Sequence, residues 1–280
     1  MAIAIGILFC VPLYELIRLA LSKDLHSHIL LIPFISMYLI ALSRQRLPTQ
    51  YRSSPILGLS LIGVGTGFLL LNAWVSSMAT EPVAPEDALW LVILSFVLFL
   101  IGGLALVFGR ETFVSIRFPM LFLFFMIPMP TTVAHVISVG LQHASADASY
   151  ALFQLTGTPT FREGLAMHLP ELSIEVAEEC SGIRSSLVLF ITSILGGHLF
   201  LRAPWKKTIF AFSVLPLGIL RNAVRILTIS LLTIHVDPEI IHGPLHHRGG
   251  PIYFVLSLPV LFVILLILRR IGRSAPAGDS

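Results

Sequence analysis

The chain alternates long apolar runs with short clusters of charge. A helix crossing about 30 Å of hydrocarbon at 1.5 Å per residue needs roughly 20 apolar residues. Runs of this type occur at residues 3–21, 29–42, 56–74, 89–108, 113–127, 183–201, 208–234 and 252–268. The pattern predicts an all-α, polytopic membrane helix bundle with about eight spans. The first run has no basic segment ahead of it and no small-residue cleavage site behind it, so it reads as a retained helix rather than a signal peptide.

The pattern changes between residues 131 and 155, where His135, Gln142, His143 and Asp147 interrupt the apolar positions and Gly140 weakens the helix. Polar backbone at membrane depth must be covered by protein or face water, which predicts a re-entrant or interfacial hairpin on the outer side. Pro128, Pro130 and Pro159 bracket it. In the following stretch, 160–179, the alternation of Leu172, Ile174 and Val176 predicts a short extended segment leading into Cys180. With no internal repeat, linker or soluble segment, residues 1–280 read as one integral membrane domain.

Composition strengthens this picture and charge orients it. Charged residues make up 12% of the chain and hydrophobic residues 56%, against roughly 25% charged in a soluble domain. The basic clusters at 44–52, 110–117, 202–207 and 269–273 all fall on one side of eight alternating spans, and that side is expected to be cytoplasmic. Both termini are then cytoplasmic, and the segments 76–87, 128–180 and 235–250 face the other way. The formal charge of +3 is spread over short loops with no basic stripe, which predicts contact with anionic membrane lipid and no nucleic-acid partner. Two cysteines, Cys10 and Cys180, are too few for a disulfide scaffold and lack metal-site spacing.

Candidate chemistry lies in three separated segments. Cys180 precedes a long apolar run, with Arg184 one turn further on. A thiol at a helix N-terminus sits where the backbone dipole favours its thiolate. Arg221 and Arg225 share one face of the 208–234 run, and a charge inside a span usually points at the bundle interior or a watery cavity. Entered from Lys207, that helix carries Arg225 about 27 Å along, near the outer boundary. The third segment holds His242, His246, His247 and Arg248 among glycines, and imidazole exchanges protons near neutral pH. All three are expected at one depth on one face. A cysteine activated by a histidine, with an arginine holding the developing oxyanion, is a sufficient set for acyl transfer.

Each element also has a plainer reading. A lone cysteine beside a span, such as Cys180, is more often a packing residue than a catalyst, and Arg221 and Arg225 also read as snorkelling or structurally paired cations. His242, His246 and His247 with Glu239 make a candidate metal site, although the shaped loop around them favours one working imidazole and no bound metal or cofactor. Glu178 and Glu179 oppose a low thiolate pKa unless they point to water. The competing function is a membrane transporter or channel whose intramembrane Arg221 and Arg225 bind an anion. Such folds commonly carry related halves, which this sequence lacks.

Three ordered motifs carry a family resemblance: Cys180-Ser181-Gly182-Ile183-Arg184-Ser185, then Asn222-Ala223-Val224-Arg225, then His246 with Gly250 and Phe254 following at four-residue intervals. Weaker features accompany them: Asp24-Leu25-His26-Ser27-His28 with Pro33, and Met126-Ile127-Pro128-Met129-Pro130. From about Asp24 to Leu268 the chain resembles the exosortase/archaeosortase transmembrane cysteine peptidases. The resemblance implies a fold of roughly eight membrane helices in a bacterial or archaeal cell membrane, with the active site on the extracytoplasmic face. It implies partners that are exported proteins bearing a C-terminal sorting signal: a short motif often Pro-Glu-Pro-like, a hydrophobic helix and a basic cluster. The new acyl end passes to an acceptor of unknown identity. By position Cys180 resembles the nucleophile, Arg225 the conserved arginine and His246 the general acid or base. Ser181, Arg184, Arg221, Asn222, His242, Arg248 and Gly250 are supporting or substrate-binding candidates. Glu179 departs from the family pattern, in which a small residue commonly precedes the cysteine, and His242 and Arg248 rival His246 for the third role.

Overall fold

The computed structural model describes residues 2–48, 53–79, 83–170, 172–177, 181–242 and 250–271. They form two compact units, Met1–Ala134 and His135–Ser280.

In the first unit, helices α1 (Ala2–Leu8) and α2 (Cys10–Ser22) lead through a 3-10 turn (Asp24–Leu30) into α3 (Ile32–Leu42). α4 (Pro55–Met78) and α5 (Pro85–Ser115) then form a long hairpin, followed by α6 (Arg117–Phe122) and a 3-10 turn (Leu123–Met126). Proline sets many of these boundaries. Pro55 and Pro85 occupy the first helical position, where their missing N–H costs nothing. Pro12 and Pro119 lie four residues beyond the last residues of α1 and α5, Leu8 and Ser115. A proline cannot bond the carbonyl four residues back, and its ring crowds it, so each helix stops there. α5 also kinks at Gly109, whose φ of 82° and ψ of 177° lie outside the helical region.

The interior of this unit holds Val97, Ile101, Ile116, Met120 and Leu123. α4 packs on α5 through glycine. A Cβ at Gly58 would lie 2.8 Å from the carbonyl oxygen of Gly102, and one at Gly102 would lie 2.9 Å from that of Gly58. Two carboxylates of α5, the buried Glu86 and its neighbour Asp87, anchor its N-terminal end. Glu86 pairs with Lys23, and Asp87 accepts from the Thr131 backbone N–H at 2.8 Å and from its hydroxyl.

The second unit opens with α7 (Thr131–Leu155), most of which belongs to it. An antiparallel meander follows, β1 (Phe161–Glu163), β2 (Ala166–His168) and β3 (Ser173–Glu175), with Arg162 opposite Met167 and Met167 opposite Ile174. Next come α8 (Ile183–Phe200), α9 (Pro204–Phe212), α10 (Val214–His235), a 3-10 turn (Pro238–His242) and α11 (Gly250–Arg270). Pro216 again stands four residues past the end of a helix, Phe212 of α9. Leu189, Leu201, Phe210, Val214, Leu261 and Leu265 bury the four C-terminal helices against one another. Ala146, Phe153, Met167, Leu169 and Val176 fasten the meander to α7, beside an Asp147–Arg162 ion pair.

Among the described residues, six helical segments are long and apolar enough to cross a membrane: Asp24–Leu42, Pro55–Met78, Pro85–Ser115, Ile183–Phe200, Pro204–His235 and Gly250–Arg270. A seventh results if Arg117–Met126 and Thr131–Leu155, which meet at 90°, make one broken span. Their outer faces carry exposed side chains such as Phe34, Ile56, Leu70 and Phe262. That much contiguous apolar surface suits lipid and not water. The chain is thus an all-α multi-pass membrane protein. Three details differ from the sequence expectation. The run at 113–127, expected as one span, is divided between the end of α5, α6 and a 3-10 turn. The run at 3–21 is divided at Phe9 into helices of 7 and 13 residues, for the proline reason above. The expected hairpin within 131–155 is a single helix of 25 residues. The break lies before it, at 127–130, where Pro128 and Pro130 cannot continue the preceding turn. The expected extended segment is present as the three-stranded meander.

Candidate active site

The segment leading to the cysteine is pinned to α7 by a polar stripe. Ser138, Gln142, Ser145 and Ser149 recur at helical spacing and are all buried. Gln142 donates its side-chain amide to the carbonyl of Val176 at 2.9 Å, just past β3. The hydroxyls of Ser138 and Ser181 lie 2.9 Å apart, both buried. The same Ser181 oxygen accepts a long bond from the Ile183 N–H, at 3.4 Å, at the start of α8. Both flanks of residues 178–180 are therefore held on one helix.

Gly182 caps α8 with φ of 74°, a left-handed conformation that side-chain-bearing residues adopt only at a cost. It is also a point of close approach. A Cβ there would come within 3.1 Å of Arg221 Nη2 and 3.9 Å of Asn222 Cγ. Arg221 Nη2 donates to Ser185 Oγ at 2.5 Å, while that hydroxyl donates to the carbonyl of Gly182 at 3.0 Å. One turn deeper, a Cβ at Gly218 would meet Ser186 Oγ at 2.7 Å. Small residues on both helices thus let the backbones close, as is common between membrane helices. Residues 182, 185 and 186 of α8 meet 222, 221 and 218 of α10 in antiparallel order.

Two of the three motif segments are thereby brought together. Gly182 and Ser185 of the first meet Arg221, and Gly182 also approaches Asn222 of the second, with Asn222 buried and Arg225 one helical turn further along α10. Asn222, Arg225 and the exposed Arg184 each make interactions of their own. Gly250 begins α11 with no atom near its would-be Cβ. Cys180, His246 and Arg248 lie outside the described residues, as does the side chain of His242. Cys10 is a free, exposed thiol on α2. Among the described residues no three metal-ligating side chains come together.

Sequence reasoning gave no role to Ser138, Ser185, Ser186 or Gly218. The signal was present: serine and glutamine at 138, 142, 145 and 149 trace one helical face, and Gly218 stands one turn before Asn222.

Comparison with known proteins adds one match. The family model described as Transmembrane exosortase (Exosortase_EpsH) covers residues 20–263. No curated protein and no solved structure matches the chain.

Proposed function

The chain belongs to the transmembrane exosortase family, and from that premise we propose that it is a membrane-embedded cysteine peptidase/transpeptidase. In this reading it cleaves the C-terminal sorting signals of exported proteins through a thioester on Cys180. The observation that carries the proposal is the close approach of Gly182 and Ser185, of the motif that begins with Cys180, to Arg221, with Asn222 also beside Gly182. A glycine cap two residues past the candidate nucleophile and a half-buried arginine, distant in sequence, are neighbours.

The substrate's own C-terminal helix docks among the spans and presents the scissile peptide at the extracytoplasmic rim, which replaces a diffusional search with a held geometry. Cys180 attacks the carbonyl: the C–S bond forms and the carbonyl electron pair moves to oxygen. Arg225 carries that charge. The alkoxide collapses, the C–N bond breaks, and His246 gives a proton to the departing amine. An amine, a hydroxyl or water then takes the acyl group from sulfur. Residues 1–280 act as one membrane domain, with both termini cytoplasmic.

The test is co-expression with an exported reporter bearing a motif, an apolar helix and a basic cluster taken from the C-termini of the same cell's secreted proteins. The intact protein is expected to shorten the reporter, and the Cys180→Ala variant to insert normally and leave it full length. Continued processing by Cys180→Ala would refute the nucleophile assignment.

A further inference from the structure

A notch between α2 and α5 carries two charges that the fold leaves without partners. α2 runs antiparallel beside the first turns of α5. At one end the Phe9 ring lies 5.4 Å from that of Phe96 and 5.6 Å from that of Phe99, and at the other Lys23 pairs with Glu86. Glu15 and Arg18 stand between these two levels, alongside a segment long and apolar enough to cross the membrane. Here the two helices border a cavity of about 420 Å³, lined by Glu15, Arg18 and Leu19 on one side and Pro85, Ala88 and Leu89 on the other. That volume falls in the range of small-molecule sites, roughly 300–1,000 Å³.

Among the described residues Glu15 and Arg18 form no ion pair, either with each other or with a third group. The neighbouring charges are engaged: Lys23 with Glu86, Asp87 with Thr131, and Asp24 in interactions of its own. Glu81, ahead of α5, lies outside the described residues. A charge at membrane depth is costly unless an opposite charge or water meets it. Arg18 and Glu15 present opposite charges one helical turn apart on the same wall, with apolar side chains around them. A guanidinium fork matches two oxygens of a phosphate, and a carboxylate accepts from an ammonium. The ligand that satisfies both carries an anion and a cation a few bonds apart on an apolar body.

We propose that this notch binds the headgroup of an aminophospholipid, with its phosphate on Arg18 and its primary ammonium on Glu15. The acyl chains run along the exposed apolar side chains of α2, Tyr14, Ile17 and Leu21. A purely anionic lipid would set a negative charge against Glu15, and an apolar occupant would leave both charges unmatched. The site belongs to the first unit alone and stands independently of the peptidase reading.

The experiment is native mass spectrometry of the full chain, offered phosphatidylethanolamine and phosphatidylglycerol with identical acyl chains. The parent is expected to hold phosphatidylethanolamine about tenfold more tightly, because Glu15 attracts one headgroup and repels the other. Arg18→Gln should weaken retention of both lipids. Glu15→Gln should abolish the preference, so that phosphatidylglycerol binds as well as phosphatidylethanolamine. Glu81→Gln should leave the preference as it is. Soluble glycerophosphoethanolamine should compete only far above the lipid's own concentration, since it lacks the chains. If Arg18→Gln does not accumulate, the lipid ratio of Glu15→Gln decides. Equal retention of the two lipids by the parent, a preference that survives Glu15→Gln, or one that Glu81→Gln removes would each overturn the proposal. Competition by the soluble headgroup at equal concentration would overturn the lipid as the occupant.

Discussion

The hairpin of α4 and α5 and the pair of α8 and α10 use the same packing device for different ends. In both, glycines allow two helices to close on each other. In the hairpin, Gly58 and Gly102 each face the other's backbone carbonyl, and Gly65 faces the ring of Phe99 and the carbonyl of Ser95. In the second pair, Gly182 faces a guanidinium and Gly218 a serine hydroxyl. Where the missing side chain makes room for backbone and hydrocarbon, the result is a scaffold. Where it makes room for polar groups, the result is a polar contact between two largely apolar helices. What a glycine faces, rather than the glycine itself, separates the two.

Substitutions can sharpen or break that contrast. The largest effect is expected from Arg225→Ala, which should lower reporter processing about 10²–10³-fold, as removal of an oxyanion donor does, while the protein accumulates normally. Loss of accumulation in step with activity would move Arg225 from the chemistry to the scaffold. Gly58→Leu should do the opposite. Its side chain would meet the Gly102 carbonyl, which cannot swing aside, at a cost of about 1–3 kcal/mol. Thermal unfolding in detergent should show this as a lower midpoint, with processing per folded molecule unchanged. Gly182→Ala lies between the two, because it strains a left-handed cap by about 1–2 kcal/mol and presses on Arg221. It should slow processing about tenfold with only a small fall in stability. Equal losses in both measurements would make Gly182 purely structural. The smallest effect is expected from Ser138→Ala, about 1 kcal/mol for one buried hydrogen bond. A double-mutant cycle with Ser181→Ala should show the two losses to be coupled.

Much of the molecule was legible along the chain because its physics is local. Span length follows from hydrocarbon thickness, and six of the runs appear as single segments: 29–42, 56–74, 89–108, 183–201, 208–234 and 252–268 all lie within or nearly within helical segments long enough to cross. Polar interruptions in 131–155 were also visible. They were read as interruptions of a helix, however, whereas the helix is unbroken. His135, His143 and Asp147 are exposed on it, and Gln142 joins Ser138, Ser145 and Ser149 on a buried face, with Ser138 bonded to Ser181 and Gln142 to Val176. Periodicity finds a polar stripe but does not tell whether its partner is water, lipid or another strand of protein. The division of 3–21 at Phe9 was equally present in Pro12, four residues on from Leu8.

The order of apolar runs, the charge clusters between them and the spacing of Asn222 and Arg225 within a span are properties of the chain alone. They determined the class of protein and the family it falls in, because solvation and helix period act on neighbours in sequence. Only the folded structure decided that Arg221 bonds Ser185 and crowds Gly182. Those residues are some 40 positions apart, and their meeting depends on how closely two antiparallel helices approach. That distance is set by the sum of side-chain volumes across the interface, which no single segment contains.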